Sequence, residues 1–359
     1  MSTYKNLQKL AIRLRDDLRT NDFVLLYAYN GTGKTRLSTE FKNRGKKGNQ
    51  RDTLYFNAFT EDLFSWDNDL HHDTRRVLRI NSNSRFFEGF KELALEEKIF
   101  AFLERYVNFD FKIDYESWVI SFNKGEHTNI KISRGEESLF IWCIFLAICE
   151  LTLDGAEAYN WVKFFYIDDP ISSLDENNAI GVASDLAQLL KKGRGTIKTV
   201  ISSHHMLFFN VMCNELRPYS HKQYFLHKQG ADGYTVRPTN DTPYYHHVAA
   251  LSELRDAMLL GGGHIKTHHF NTLRSILEKT SSFFGFNDFG RCIKGVEDEI
   301  LFERALNLLS HGKHSVYEPR NMGQDTQDLF VRILTAFLEK HEFELPAVSS
   351  KKPAAPTTP

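Results

Sequence analysis

The sequence predicts an α/β P-loop nucleotide-binding domain followed by a smaller, mainly helical domain. Three observations carry this. The apolar run Phe23–Tyr27 feeds directly into Ala28-Tyr29-Asn30-Gly31-Thr32-Gly33-Lys34-Thr35. A second apolar run, Phe164–Ile167, ends in the acidic pair Asp168-Asp169. Strand-like runs give way to helical patterning after about Tyr245. A buried strand entering a Gly-rich turn and then a helix is the geometry that cradles phosphate. A short buried strand ending in acids is the pattern of a central strand in a parallel sheet.

Length and composition bound the rest. At 359 residues the chain suits two domains, expected at 1–240 and 241–347 with a disordered tail at 348–359. Apolar residues make up 42% and charged residues 25%, enough for a sizeable core. The formal net charge of -1 gives no global basic field, so nucleic-acid contact has to come from a local site. Cys143, Cys149, Cys213 and Cys292 form no C-x2-C pair, which argues against structural zinc and fits a reducing compartment. The apolar run Leu139–Cys149 stops at Glu150 and reads as a buried helix, too short to span a bilayer. The first residues lack the apolar core of a secretory signal. The expectation is a soluble, cytoplasmic protein without a membrane partner.

In chain order, residues 1–20 show helical periodicity, and Phe23–Tyr27 and Thr53–Phe56 read as buried strands. The aromatic-rich stretch 60–110 reads as mostly helical. Trp118–Asn123 and Thr128–Ile132 read as strands paired around a Lys-Gly-Glu turn. Phe164–Ile167 and Thr196–Ile201 complete the parallel set, and Gln223–Leu226 with Tyr234–Val236 form a hairpin. The loop Arg237-Pro-Thr-Asn-Asp-Thr-Pro243 marks the domain boundary.

Ala28–Thr35 fits G-x-x-x-x-G-K-[ST] with Ala28 in place of the first glycine. Backbone amides from Asn30, Gly31, Thr32 and Gly33 wrap phosphate oxygens, Lys34 reaches the outer phosphates, and the Thr35 hydroxyl ligates Mg²⁺. Asp168 holds the same Mg²⁺, and Asp169 takes the place of the glutamate that polarises attacking water. Ser133-Arg134-Gly135-Glu136-Glu137, just before the apolar helix, resembles a divergent ABC-ATPase signature, which places Ser133, Gly135 and Glu136 against the nucleotide of a second subunit. Ser172-Ser173-Leu174-Asp175 resembles the D-loop, and His204 the switch histidine. No glutamine stands at the Q-loop position, where Asn57 is the nearest polar substitute. The absence of a long coiled coil between Asn57 and Ser133 argues against DNA-repair relatives of the Rad type.

In residues 245–345 we count 11 Lys and Arg against 14 Asp and Glu, which excludes a non-specific nucleic-acid binder. Arg274 and Glu278 are one helical turn apart on one face. Arg304 and His311, seven apart, also share a helical face and resemble the R-x4-6-H motif of HEPN ribonucleases.

Several blocks are similar to the PrrC family of anticodon nucleases: Tyr27–Ser38, Asn57–Leu70, Ile130–Ser138, Ile167–Asp175, and Thr272–Thr280 together with Ser310-His311. The Asn57–Leu70 block is the most specific, because general ABC proteins lack it. The resemblance implies an ABC-ATPase-like domain with GTP or ATP and Mg²⁺, able also to bind dTTP. It implies a HEPN-like RNase domain that cuts lysine tRNA 5′ to the wobble base. Arg274, Glu278 and His311 fall on the family's active-site positions, with Arg304 as a further phosphate clamp and Asp241 reading the anticodon. Glu278 acts as base and His311 as acid, or the reverse. The implied partners are tRNA, further copies of the chain in a homodimer or higher homo-oligomer, and a type I restriction–modification complex, in anti-phage defence. Two other readings compete. One is an ABC-type nucleotidase whose second half only binds a partner. The other is a metal-dependent DNA nuclease of the OLD type, whose acids would be Glu297, Asp298, Glu299, Glu342 and Glu344.

Overall fold

The computed structural model describes residues 2–48, 50–57, 63–68, 76–87, 95–171, 176–229, 233–239, 246–261, 264–293, 324–341 and 343. By compactness the chain divides into Met1–Asn240 and Asp241–Pro359.

The first unit holds a seven-stranded sheet with order β1-β11-β10-β2-β9-β8-β3. Its strands are β1 (Ser2–Tyr4), β2 (Phe23–Ala28), β3 (Thr53–Asn57), β8 (Phe164–Asp168), β9 (Lys198–Ser203), β10 (His221–Gln229) and β11 (Gly233–Pro238). Pairing is parallel from β10 to β3 and antiparallel at the β11 and β1 edge. Every residue of β2 is buried, as expected for a strand covered on both faces. Helix α1 (Leu7–Asp17) is capped by Asn6, whose side chain accepts from the Lys9 N–H at 3.0 Å, and it buries Leu7, Leu10, Ala11 and Leu14. Helix α2 (Lys34–Arg44) follows β2 through the P-loop.

A second, antiparallel sheet has order β4-β5-β7-β6 and comprises β4 (Phe64–Asn68), β5 (Arg76–Ile80), β6 (Asp110–Asp114) and β7 (Val119–Asn123). The expectation of a mostly helical 60–110 is therefore corrected. Among the described residues only α3 (Leu95–Leu103) and one 3-10 turn are helical there. Of the aromatic residues there, Phe64 and Trp66 lie on the small sheet opposite Ile80 and Leu78, a pairing local sequence does not carry, while Phe86 and Phe87 sit in the 3-10 turn and Phe100 and Phe102 on α3. The expected strand Thr128–Ile132 does not form either. Asn129 takes a left-handed φ of 56°, and beside the Lys124–His127 bridge the segment meets β7 through the Ile130 N–H to Phe122 O at 2.9 Å and the Asn129 N–H to Asn123 Oδ1 at 3.1 Å, without a ladder.

Helix α4 (Arg134–Leu153) lies between the two sheets, with every residue from Leu139 to Cys149 buried. Trp142 and Phe145 meet Phe56 of the large sheet with ring centroids 5.1 and 4.6 Å apart. Phe140 meets Phe111 and Phe122 of the small sheet at 5.0 Å each. A helix covered on all sides needs no polar face, which is why the sequence shows a continuous apolar run. Helices α5 (Glu176–Lys192) and α6 (Met206–Leu216) flank β9 in sequence.

The second unit is helical in its described residues: α7 (His246–Leu260), α8 (Thr267–Phe283), a 3-10 turn Phe289–Cys292 and α9 (Gln324–Lys340). Leu251 and Leu254, Phe270, Leu273 and Leu277, and Phe330, Ile333, Leu334 and Phe337 form its core with the helical spacing expected of packed faces. No helix among the described residues is long and apolar enough to cross a membrane.

Candidate functional site

The phosphate cradle is built where β2 ends and α2 begins. Gly31 and Gly33 take φ of +78° and +102°. A Cβ at Gly31 would meet nothing within 4 Å, and one at Gly33 would come no closer than 3.6 Å, to Leu7. The left-handed backbone, and not space, makes these positions glycine. Gly33 caps α2 without a side-chain hydrogen bond, so the first turn presents its amides to an anion. Lys34 is buried and donates from Nζ to Ala28 O at 3.1 Å, to Tyr29 O at 3.3 Å and to Asn30 Oδ1 at 3.4 Å. It also forms an ion pair with Asp169 Oδ2 at 3.3 Å.

The parallel register sets Asn57, Asp168 and Ser202 side by side at the strand ends. Asp168 is fully buried, and Ser202 Oγ donates to its Oδ1 at 2.6 Å, while Oδ2 has no hydrogen-bond partner. Burial pushes the Asp168 carboxyl up, and Asp169 adds to this against the Ser202 and Thr35 hydroxyls. A buried carboxylate oxygen without a partner, next to a threonine hydroxyl and a phosphate cradle, fits Mg²⁺, which takes oxygen ligands and combines one or two carboxylates with substrate phosphates.

Asp169 has the left-handed φ of 54°, a sparsely used conformation of the kind found at functional sites. Its Oδ1 faces His204 Nδ1 at 2.6 Å, accepts from the His204 N–H at 3.0 Å and from Ser203 Oγ at 3.4 Å. Burial would raise this carboxyl, but the His204 hydrogen bonds and the Lys34 charge outweigh burial and hold it below the usual carboxylate range. The adjacent acids are thus driven apart: Asp168 upward and Asp169 downward. Ser202 and Ser203, which anchor the pair, carry no signal of their own in the sequence, because only the β8–β9 register brings them to the acids.

Ser133 caps α4 in a reciprocal box. Its Oγ accepts from the Glu136 N–H at 3.3 Å, and Glu136 Oε2 accepts from the Ser133 N–H at 2.8 Å. These bonds keep the Glu136 carboxyl below its ordinary range. Gly135 lies between them with open space around it. Ser172, Ser173 and Asp175 lie outside the described residues.

In the second unit Arg274 Nε donates to Glu278 Oε1 at 2.8 Å across one turn of α8, with Arg274 largely covered and Glu278 half-exposed. The Arg274 guanidinium also sits 5.7 Å from the Phe289 ring centroid. Arg304, His311 and Asp241 lie outside the described residues, as do Glu297–Glu299, Glu342 and Glu344.

The sheet, cradle and acid pair define a P-loop ATPase, and residues 93–339 match the family described as an AAA domain. The chain belongs to the anticodon nuclease family: it is 32% identical over 338 residues to "Anticodon nuclease" of Escherichia coli, covering 82% of this chain and 84% of that one. Solved structures with a remote likeness include the "SMC head domain from Thermotoga maritima" (14% identity, TM-score 0.33, 61% of this chain and 90% of that one). Another is the Smc head domain with a coiled coil and joint from Pyrococcus yayanosii (13% identity, TM-score 0.29, 40% and 26%).

Proposed function

We propose that this chain is a nucleotide-gated tRNA endoribonuclease that cuts in the anticodon loop, 5′ to the wobble base, with lysine tRNA as its target. The observation that carries this is the extended identity with the E. coli anticodon nuclease, which runs across most of both chains. Residues 1–240 form the nucleotidase domain and residues 241–347 the nuclease domain.

In the nucleotidase, bound nucleotide with Mg²⁺ supplies the phosphoanhydride whose hydrolysis drives the switch. Lys34 exchanges its Asp169 ion pair for outer phosphate oxygens. Asp168 and Thr35 offer the metal their oxygens, and Asp169 with His204 orients the attacking water. The nucleotide is GTP or ATP, and dTTP is a second ligand. Assembly into a homodimer sets Ser133, Gly135 and Glu136, with Asp175, against the cradle of the partner copy.

In the nuclease, one of Glu278 and His311 takes the proton from the ribose 2′-OH. The 2′-oxygen bonds to the adjacent phosphorus and the bond to the 5′-oxygen breaks. The other residue protonates that leaving oxygen. Arg274 and Arg304 clamp the phosphate, and Asp241 reads the anticodon. The step uses no metal at the scissile phosphate, so cleavage by activated protein survives chelation. The cellular role is cytoplasmic anti-phage defence beside a type I restriction–modification complex.

Sequencing RNA ends in cells expressing the chain tests the reading. Ends in one anticodon loop, with a 2′,3′-cyclic phosphate and a 5′-hydroxyl, are expected. 5′-Phosphate ends, or cutting at a 2′-deoxy position, would reject the mechanism.

A further inference from the structure

At the C-terminal end of α8 two adjacent aromatic residues stand in solvent: Phe283 is 84% exposed and Phe284 49%. They are held in place. Phe283 meets Phe284 edge-on, with centroids 5.3 Å apart and planes at 79°. Phe284 stacks on Phe286 at 5.6 Å and 24°, and on His341 at 5.5 Å and 22°. Cations adjoin the stack. The Arg291 guanidinium lies 4.8 Å from the Phe286 ring centroid, and Lys340 Nζ donates to Arg291 O at 2.9 Å. Asp288 and Glu339 are the neighbouring acids in sequence, and the Asp288 carboxylate is engaged by the Gly290 N–H at 3.0 Å. A rigidly backed, solvent-facing ring beside Arg and Lys has the chemistry that holds an unpaired base: a π-face for stacking and cations for the adjoining phosphate.

The geometry points to Phe283 as a stacking platform for an unpaired nucleobase of the RNA substrate, with Arg291 and Lys340 taking the flanking backbone. Position supports this occupant. Phe283 is five residues from Glu278 on the same helix, roughly 7.5 Å along its axis. Arg274 touches Phe289, in the same 3-10 turn as Arg291. Phe283 is turned about half-way round α8 from Arg274, so the platform flanks the Arg274–Glu278 pair and holds a neighbouring nucleotide, not the one that is cut. The inference rests on the RNA-cutting reading above; Phe283 is assigned to substrate positioning, not to the bond-breaking step.

The test is a titration of the full chain carrying Glu278→Ala, which leaves RNA uncut, into an RNA hairpin with 2-aminopurine placed in its loop. Stacking quenches the fluorophore. Phe283→Ala and Phe283→Leu are expected to bind about tenfold more weakly and to lose the quench, while Phe283→Trp retains both. At 84% exposure Phe283 makes no core contact, so these variants fold. Unchanged affinity and quench in Phe283→Leu overturns the platform. So does absence of quench in the Glu278→Ala parent, or a change of oligomer size by light scattering with the quench intact, which would mark a contact between copies of the chain. Cleavage by protein with Glu278 intact is scored separately. Failure to cut any tRNA rejects the nuclease reading, whereas the hairpin titration decides Phe283 on its own.

Discussion

The nucleotide site and the Arg274–Glu278 pair are built on opposite plans. The first is assembled from three strand ends and a helix start, and its charged groups are largely buried and pair with one another, Lys34 with Asp169 and Asp169 with His204, while Asp168 takes a hydroxyl from Ser202 and keeps Oδ2 without a partner. The second is two side chains on one helix, joined by an ion pair whose Glu278 end is half-exposed to solvent. Buried charges that lose a partner cost stability, whereas exposed pairs contribute little. The nucleotide residues should therefore be structural as well as functional, and the α8 residues functional alone.

The largest expected effect sharpens the nuclease half of this contrast. Glu278→Ala and His311→Ala should each lower tRNA cleavage by about 10²–10⁴-fold, the contribution of a general acid or base. Nucleotide hydrolysis, assayed on the same samples, should persist. Loss of both activities would break the separation of roles.

Lys34→Ala should abolish nucleotide-dependent activation. Its lysine is also one of the partners of buried Asp169, so unfolding in urea should show a loss of about 1–3 kcal/mol. His204 remains to Asp169 and keeps the loss below that of a fully orphaned charge. A variant as stable as the parent would show that the Lys34–Asp169 pair contributes nothing net to the fold.

A smaller effect is set by pH. Burial would raise the Asp52 carboxyl, but hydrogen bonds from Arg15 and Thr53, at 2.8 and 2.6 Å, hold it below its ordinary value. A depressed folded-state value stabilises above the unfolded value of about 3.9 and is lost as pH falls through the folded one. Acid unfolding curves of Asp52→Asn should therefore be flatter than those of the parent below about pH 5. Parallel curves would remove Asp52 from the account.

The smallest effect is the sharpest test of the contrast. Glu278→Ala, for all its cost to cleavage, should leave stability within about 0.5 kcal/mol by denaturant unfolding. A larger loss would make the α8 pair structural too.

What was readable in the sequence follows the same division. Ala28–Thr35 and Phe164–Asp169 are contiguous runs whose chemistry is local, so cradle and acid pair could be placed without a fold. Arg274 and Glu278 follow from helical spacing alone. In the small antiparallel sheet Val119–Asn123 lies within the strand expected at 118–123, whereas Phe64–Asn68 and Arg76–Ile80 fall in the stretch expected to be helical, because each is five residues long, too short for its alternation to stand out, and they pair across a gap in sequence. The pairing of Ser202 with Asp168 and Ser203 with Asp169 was invisible for a related reason: register between parallel strands is a tertiary fact.

The open surroundings of Gly31 have a consequence in stereochemistry. Nothing crowds the position, yet its φ of +78° lies where L-residues pay about 1–2 kcal/mol for chirality alone. The constraint there is on handedness, not on size. A semisynthetic chain with D-alanine at 31 should keep the cradle's amides aimed at phosphate, whereas L-alanine, of the same volume, has to strain the loop or turn those amides away. The phosphate site thus reads the mirror sense of one residue through which no side chain touches the nucleotide.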